Sequence, residues 1–401
     1  MRIAVVTPEY PPDVIGGGGI VVQSLVHEYV KRHEVRVFSG WDSRRSWLAK
    51  PVEDVDDGVL ISRYPLLPLS RQPYLRSVLP PNPVGVRRLW KDLRAWSPTV
   101  AHLHGYGYAI VDLAALALRR GMVPYVFTIH GIPLTPQQKG RIVRQAYSAY
   151  LHIGVGRTSR FARSITAISG AVAKALPGAE EVEVIPNGLT PLPTSDDIGA
   201  QRLRSRLNIA AGVPIIACAG RLTRAKGFDT LIKSLNYVDL AEAACVVAGT
   251  DGGMLPELVR LQAGVRPGVT VHFIGRQDRQ GLADLFHLAS VVAVPSRDEP
   301  FGLVALEAIG AGRRVVASNI GGLPEFLSPP LAQLVPEGDP VALAGALVLA
   351  IRRGALTGPE VAAAHNVVSR YSWIGLAPRY EALLALPSRP DARNRIQKES
   401  V

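Results

Sequence analysis

Short, continuous apolar runs recur along the chain, each followed by a loop and then by residues at helical spacing. In the second half they fall at 214–219, 243–248, 269–274, 291–294, 314–317 and 333–335. Runs that are apolar throughout, rather than alternating, are the mark of strands buried on both faces of a parallel sheet. Strands alternating with helices predict a doubly wound α/β domain. The first half keeps the same rhythm, with strands at 2–6, 35–38, 59–63, 100–103, 123–129, 165–168 and 182–185. Its helices are expected at 20–31, 84–96 and 110–120. The segment 190–197 is polar and contains proline, as linkers do. The pattern therefore predicts two domains, 1–188 and 189–369, followed by a helix within 370–387 and a polar, disordered tail at 388–401.

The chain's 401 residues are enough for two domains of ordinary size, and 47% of them are hydrophobic. No run approaches the length of a membrane-spanning helix, and the N-terminus lacks the apolar core of a signal peptide. Cys218 and Cys245 both fall in strand-like runs and read as core residues, not as metal ligands or a disulfide. A cytoplasmic protein is expected.

The formal charge of +12 is concentrated: between Leu60 and Lys174 sixteen Lys and Arg face two acids, Asp92 and Asp112. No nucleic-acid-binding motif accompanies these cations, so no nucleic-acid partner is expected. An anionic membrane surface on the inner face of the plasma membrane, or a phosphorylated acceptor, fits the charge better. The helix expected at 84–96 is basic and amphipathic, which suits either a membrane surface or ordinary packing on a sheet. The segment 65–83 is proline-rich, and long loops of this kind are commonly functional. Asp54-Val55-Asp56 has the form of a metal-binding Asp-x-Asp, but its setting before a strand reads as a hairpin turn.

The most informative stretch is 291–312. A buried strand leads through a polar loop to a helix that is apolar nearly all round, with Leu303, Val304, Ala305, Leu306, Ala308 and Ile309. Glu307 nonetheless sits in its middle, where a carboxylate is costly without partners. Glu299, eight residues earlier, lies at the strand-to-helix junction, the place where open α/β sheets bind ligands. Alone, Glu299 reads as a solvated loop acid and Glu307 as a satisfied structural carboxylate. Together, flanking Pro300-Phe301-Gly302 and a helix N-terminus able to receive a phosphate, they suit a sugar nucleotide.

Two further loops carry chemistry. After the strand at 214–219 the chain reads Gly220-Arg221-Leu222-Thr223-Arg224-Ala225-Lys226-Gly227, with Arg221 and Lys226 placed to hold a diphosphate. After the first strand, Gly16 to Gly19, including Gly17 and Gly18, lead into a helix, an arrangement open to phosphate. That loop is not G-x-G-x-x-G, and no acid ends the second strand, which disfavours a dehydrogenase. His104-Gly105 and His130-Gly131 end two strands and so face the crevice of their sheet.

The Glu299–Glu307 spacing resembles the E-x7-E motif of retaining glycosyltransferases of family 4, and the 220–227 loop resembles their G-R-x4-K-G. Gly249-Thr250-Asp251-Gly252 and the run ending in Gly275-Arg276 resemble the family's base-side loops, and Gly321-Gly322-Leu323-Pro324-Glu325 also matches its pattern. The resemblance reaches to about Leu386. It implies the GT-B fold: two facing Rossmann-like domains with a central cleft and a C-terminal helix crossing back onto the N-terminal domain. It implies a donor held mainly by the second domain, with Arg221 and Lys226 on the diphosphate and Glu307 on the ribose. Glu299 would take the hydroxyls of the transferred sugar, while Phe301, Gly302 and Leu303 offer backbone N–H groups, and His130 would lie beside the sugar. Gly17, Gly18, Gly249 and Arg276 are further expected contacts to the donor.

The implied reaction is transfer of a hexose from a UDP- or GDP-linked sugar with retention of configuration, without metal or a tightly bound cofactor. The basic first domain and its proline-rich loop suggest a lipid-linked or envelope glycan precursor as acceptor. A soluble natural-product acceptor, an epimerase or phosphorylase of the same fold, and a non-catalytic sugar-nucleotide-binding scaffold remain alternatives at this point.

Overall fold

A computed structural model describes residues 1–14, 16–41, 49–67, 79–132, 150–176 and 178–387. The tail expected at 388–401 and most of the proline-rich 65–83 segment lie outside them. The chain divides into two compact units, Met1–Gly188 with the segment from Trp373, and Leu189–Ser372. Residues 370–372, expected with the last helix, fall in the second unit.

The first unit is built on strands β1 (Arg2–Thr7), β2 (Glu34–Trp41), β3 (Val52–Asp56), β4 (Val59–Pro65), β5 (Val100–His104), β6 (Tyr125–Ile129), β7 (Ser164–Ala167) and β8 (Val182–Val184). Their order is β3-β4-β2-β1-β5-β6-β7-β8, and only the β3–β4 pair is antiparallel. Ile3, Ala4, Val5 and Val6 are wholly buried, as expected of a strand covered on both faces. The strand order reverses between β1 and β5, so the loops after those strands open side by side.

Two local readings change. Asp54 and Asp56 lie within β3, and the turn is Asp57-Gly58, both left-handed at φ 46° and 80°. Asp56 is a structural acceptor, taking hydrogen bonds from Tyr10 Oη at 3.1 Å and Gln23 Nε2 at 2.8 Å. The first helix is Gly17–Tyr29, starting three residues before the apolar periodicity does. Glycines contribute nothing to that periodicity, yet a side chain at Gly19 would meet Val14 Cγ1 at 2.5 Å, so the close entry requires them.

Helix Pro83–Trp96 is capped by Asn82, whose side chain accepts from the Gly85 N–H at 2.7 Å, and it buries Leu89 and Leu93. Its Arg88 is tied to Asp92 at 2.7 Å. The last helix, Trp373–Ala385, packs within the first unit. Tyr380 stacks near His102 with ring centroids 5.1 Å apart, and Arg32 donates to Glu381 at 2.9 Å.

The second unit has six parallel strands: β9 (Ile215–Ala219), β10 (Ala243–Ala248), β11 (Val269–Gly275), β12 (Val291–Val294), β13 (Val315–Ser318) and β14 (Ala332–Val335). Their order is β11-β10-β9-β12-β13-β14. Cys218 and Cys245 are buried, free residues of its core. The order reverses between β9 and β12, and the loops that follow those two strands are the ones carrying Lys226 and Glu299. Among the described residues no helix is long and apolar enough to cross a membrane.

Candidate functional site

At the switch point of the second unit, the loop after β9 ends in a short turn, Arg224–Lys226, and a left-handed Gly227. A side chain at Gly227 would overlap the Pro295 carbonyl oxygen, one at Gly249 the Gly220 carbonyl, and one at Gly321 the Glu299 carbonyl. Three glycines therefore let the loops after β9, β10, β12 and β13 touch backbone to backbone. The matched motifs hold these glycines, but only the fold shows why nothing larger is tolerated.

Lys226 Nζ donates to Glu299 Oε2 at 2.7 Å, and Ser296 Oγ donates to the same oxygen at 3.0 Å. Glu299 is 9% exposed and therefore depends on these partners. Arg221, at the other end of the first loop, makes no ion pair or side-chain hydrogen bond among the described residues. Among the described residues it is an unpaired guanidinium on the same loop as the paired lysine.

Gly302 is the left-handed N-cap (φ 108°) of helix Leu303–Gly310, and a side chain there would meet Leu323 Cδ2 at 2.5 Å. Phe301 is buried, its ring packed against Phe326 and Tyr371 at 5.5 and 5.6 Å between centroids. The N–H groups of Phe301, Gly302 and Leu303 meet no acceptor among the described residues, which leaves a positive helix end open to an anion. Glu307 lies inside this helix. Burial pushes its carboxyl up to about 7, against the opposing pull of Arg279, whose Nη1 is 3.9 Å away. It is a carboxylic acid held near its midpoint at neutral pH.

The remaining expected contacts are more scattered. Gly249 belongs to the switch-point loops. Asp251, two residues on, accepts the N–H groups of Gly253, Met254 and Leu255 at Oδ1, at the start of the next helix. Arg276 is exposed at the end of β11, the edge strand. Gly17 and Gly18 lie in the first unit, in the first turn of helix Gly17–Tyr29. The Glu9 carboxylate already sits there, with Oε1 3.7 Å from where a Gly18 side chain would start. His130 also lies in the first unit. Its Nε2 is 3.0 Å from His104 Nδ1, and His104 in turn stacks on His102 at 3.9 Å. Burial lowers all three imidazoles, His130 to about 4 and His102 to about 3, so the cluster is neutral at pH 7.

The glycosyltransferase family 4 profile matches residues 15–191, and that for glycosyl transferases group 1 matches residues 200–356. A D-inositol 3-phosphate glycosyltransferase of Xylanimonas cellulosilytica is 30% identical over 383 residues, 89% of this chain and 88% of the relative. The chain belongs to glycosyltransferase family 4. Another family relative, glycogen synthase of Mycobacterium tuberculosis, is 30% identical over 354 residues, covering 81% of this chain and 80% of its own length.

Solved structures show that the family 4 chain has the GT-B fold. HepE of Anabaena, solved in complex with UDP, aligns with TM-score 0.70 at 20% identity, covering 96% of this chain and 100% of its own. Sucrose-phosphate synthase of Thermosynechococcus elongatus aligns with TM-score 0.72 at 22% identity, covering 95% and 98%. For a family 4 glycosyltransferase, the geometry adds what motif reading missed: the Ser296 bond to Glu299 and the Arg279 approach to Glu307. Ser296 left one sequence signal, a polar residue two positions past a buried strand.

Proposed function

We propose that this glycosyltransferase is a retaining, metal-independent hexosyltransferase that draws its sugar from a UDP- or GDP-linked donor. The observation that carries the reading is the switch-point cluster of the second unit: Lys226 on Glu299, with Arg221 and three N–H groups at a helix end that have no partner among the described residues. Breaking a glycosyl–phosphate bond puts negative charge on the phosphate. Two preorganised cations and a helix N-terminus stabilise that charge without a divalent ion. Glu307 is assigned to the ribose hydroxyls and Glu299 to the hydroxyls of the transferred sugar.

In the proposed step the acceptor oxygen bonds to the anomeric carbon as that carbon's bond to the phosphate oxygen breaks. The acceptor's proton passes to the donor phosphate. His130, neutral and a weak base, is assigned to hydrogen bonding with the sugar rather than to taking that proton. UDP is favoured among donor nucleotides because HepE has been solved with both UDP and UDP-glucose.

The acceptor is proposed to be a lipid-linked or envelope glycan precursor. The cationic excess of residues 60–174 supports an anionic acceptor or membrane surface. The relative named for inositol 3-phosphate supports a phosphorylated one. The test is to supply UDP-glucose or GDP-mannose with a hydroxyl acceptor and read the anomeric configuration of the product by NMR. Retention, with a rate unchanged by EDTA, is expected; an inverted product overturns the mechanism.

A further inference from the structure

Between the loops that carry Lys226 and Glu299 lies a residue pair belonging to neither motif. Arg297 Nη1 and Nη2 hold the two carboxylate oxygens of Asp229, at 2.6 and 2.9 Å. Asp229 sits in the first turn of helix Phe228–Ser234, just past Lys226 and Gly227. The same guanidinium donates to Thr230 Oγ1 at 2.7 Å and to the Arg224 carbonyl at 3.1 Å. The backbone adds a second tie, since the N–H groups of Arg297 and Asp298 both donate to the Ala225 carbonyl, at 2.7 and 3.1 Å. The two loops are thus joined on both sides of Lys226, which itself reaches Glu299.

Arg297 is a cation beside a diphosphate-binding lysine, yet it is not free to bind an anion. Its fork is filled by Asp229. Burial pushes the Asp229 carboxyl up, but the Arg297 hydrogen bonds and charge outweigh this and hold it below the usual range. Nor does the Lys226–Glu299 contact fix the loops by itself, because a lysine side chain has four rotatable carbons. A bidentate arginine–carboxylate pair supplies the geometric constraint that a lysine cannot.

We propose that Arg297 and Asp229 form a positioning clamp that fixes the spacing between the Lys226 and Glu299 loops, so that one donor is gripped at both its diphosphate and its sugar. This rests on the nucleotide-sugar reading of the site. The clamp touches no substrate and acts only through Lys226 and Glu299. Losing it leaves Arg221 and Lys226 on one loop, able to hold a diphosphate, but displaces Glu299 from the sugar. A misplacement of about 1 Å is enough to lower turnover by about a hundredfold.

The test is calorimetric titration with UDP and UDP-glucose, and with GDP and GDP-mannose. The proteins are the unaltered chain, Arg297→Met, Asp229→Asn, their double variant and Lys226→Ala. The clamp predicts that Arg297→Met and Asp229→Asn bind the nucleoside diphosphate within about threefold of the unaltered chain but lose most of the added affinity for the nucleotide sugar. The double variant should lose no more than either single, as coupled residues do. A variant that melts lower yet keeps the unaltered gap between diphosphate and nucleotide sugar overturns the clamp and makes the pair a stability element. Should Arg297→Met not fold, near-isosteric Asp229→Asn decides in the same way. If Lys226→Ala binds every ligand as the unaltered chain does, the site reading itself falls and the clamp with it.

Discussion

Lys226 Nζ lies 2.7 Å from Glu299 Oε2, although the two residues are 73 positions apart in the chain. The cation assigned to the diphosphate is thus paired with the acid assigned to the sugar. A diphosphate must compete with Glu299 for Lys226. Glu299→Gln therefore removes a competitor: UDP alone should bind this variant about two- to tenfold more tightly, each tenfold being about 1.4 kcal/mol. UDP-glucose should lose its advantage over UDP in the same variant. Paired titrations of the two ligands check this, and weaker UDP binding would count against it.

Gly227 and Gly212 are both left-handed, at φ 65° and 82°, but only Gly227 has a backbone carbonyl where a side chain would go. Gly212→Ala should cost about 1 kcal/mol of stability from strain alone and leave nucleotide binding unchanged. Gly227→Ala should cost more and abolish binding, because it separates the two site loops. Chemical denaturation and titration of both variants make the comparison.

Glu307 gives the site a pH signature. Its folded-state carboxyl is raised to about 7 from a usual value of 4.5, so the folded form holds more protons between those values. Its contribution to stability is full below about pH 4.5 and is lost as pH rises through about 7. Glu307→Gln should flatten that slope, a difference on the order of 3 kcal/mol above pH 7. Ribose hydroxyls donating to the carboxylate favour its ionised form. Nucleotide binding near pH 7 should therefore release protons, detected by titration in buffers of different ionisation enthalpy, and Glu307→Gln should abolish the release.

The histidines of the first unit titrate the other way. His102, His104 and His130 are held neutral by burial, so the unfolded chain binds their protons first as pH falls. Stability from these groups is present above about pH 6.5 and is lost toward pH 4, at about 1 kcal/mol per histidine per pH unit. Urea unfolding at pH 7.5 and 5.5 should show the loss, and His104→Asn should reduce it.

Much of this was legible in the sequence. Runs such as Val291–Val294 are fully buried strands because nothing in them tolerates water, and the motif loops followed them at the expected ends. What was not legible depends on contacts between distant residues. The Arg297–Asp229 pair spans 68 positions, and the His104–His130 contact spans 26. No periodicity encodes either. The helix start at Gly17 and the turn at Asp57-Gly58 were misjudged for a local reason. Glycine carries no hydrophobic signal, and a run of acids on an exposed edge strand shows no alternation of buried and exposed residues to tell it from a turn.

The central claim is that the switch point of the second unit holds a nucleotide sugar through Lys226. Thermal stabilisation of the unaltered chain and of Lys226→Ala, against UDP, GDP, ADP and their glucose or mannose conjugates with and without EDTA, tests it most directly. The account predicts a melting-temperature rise selective for one nucleotide, insensitive to EDTA and lost in Lys226→Ala. Equal shifts in both proteins, or none with any nucleotide, would contradict it.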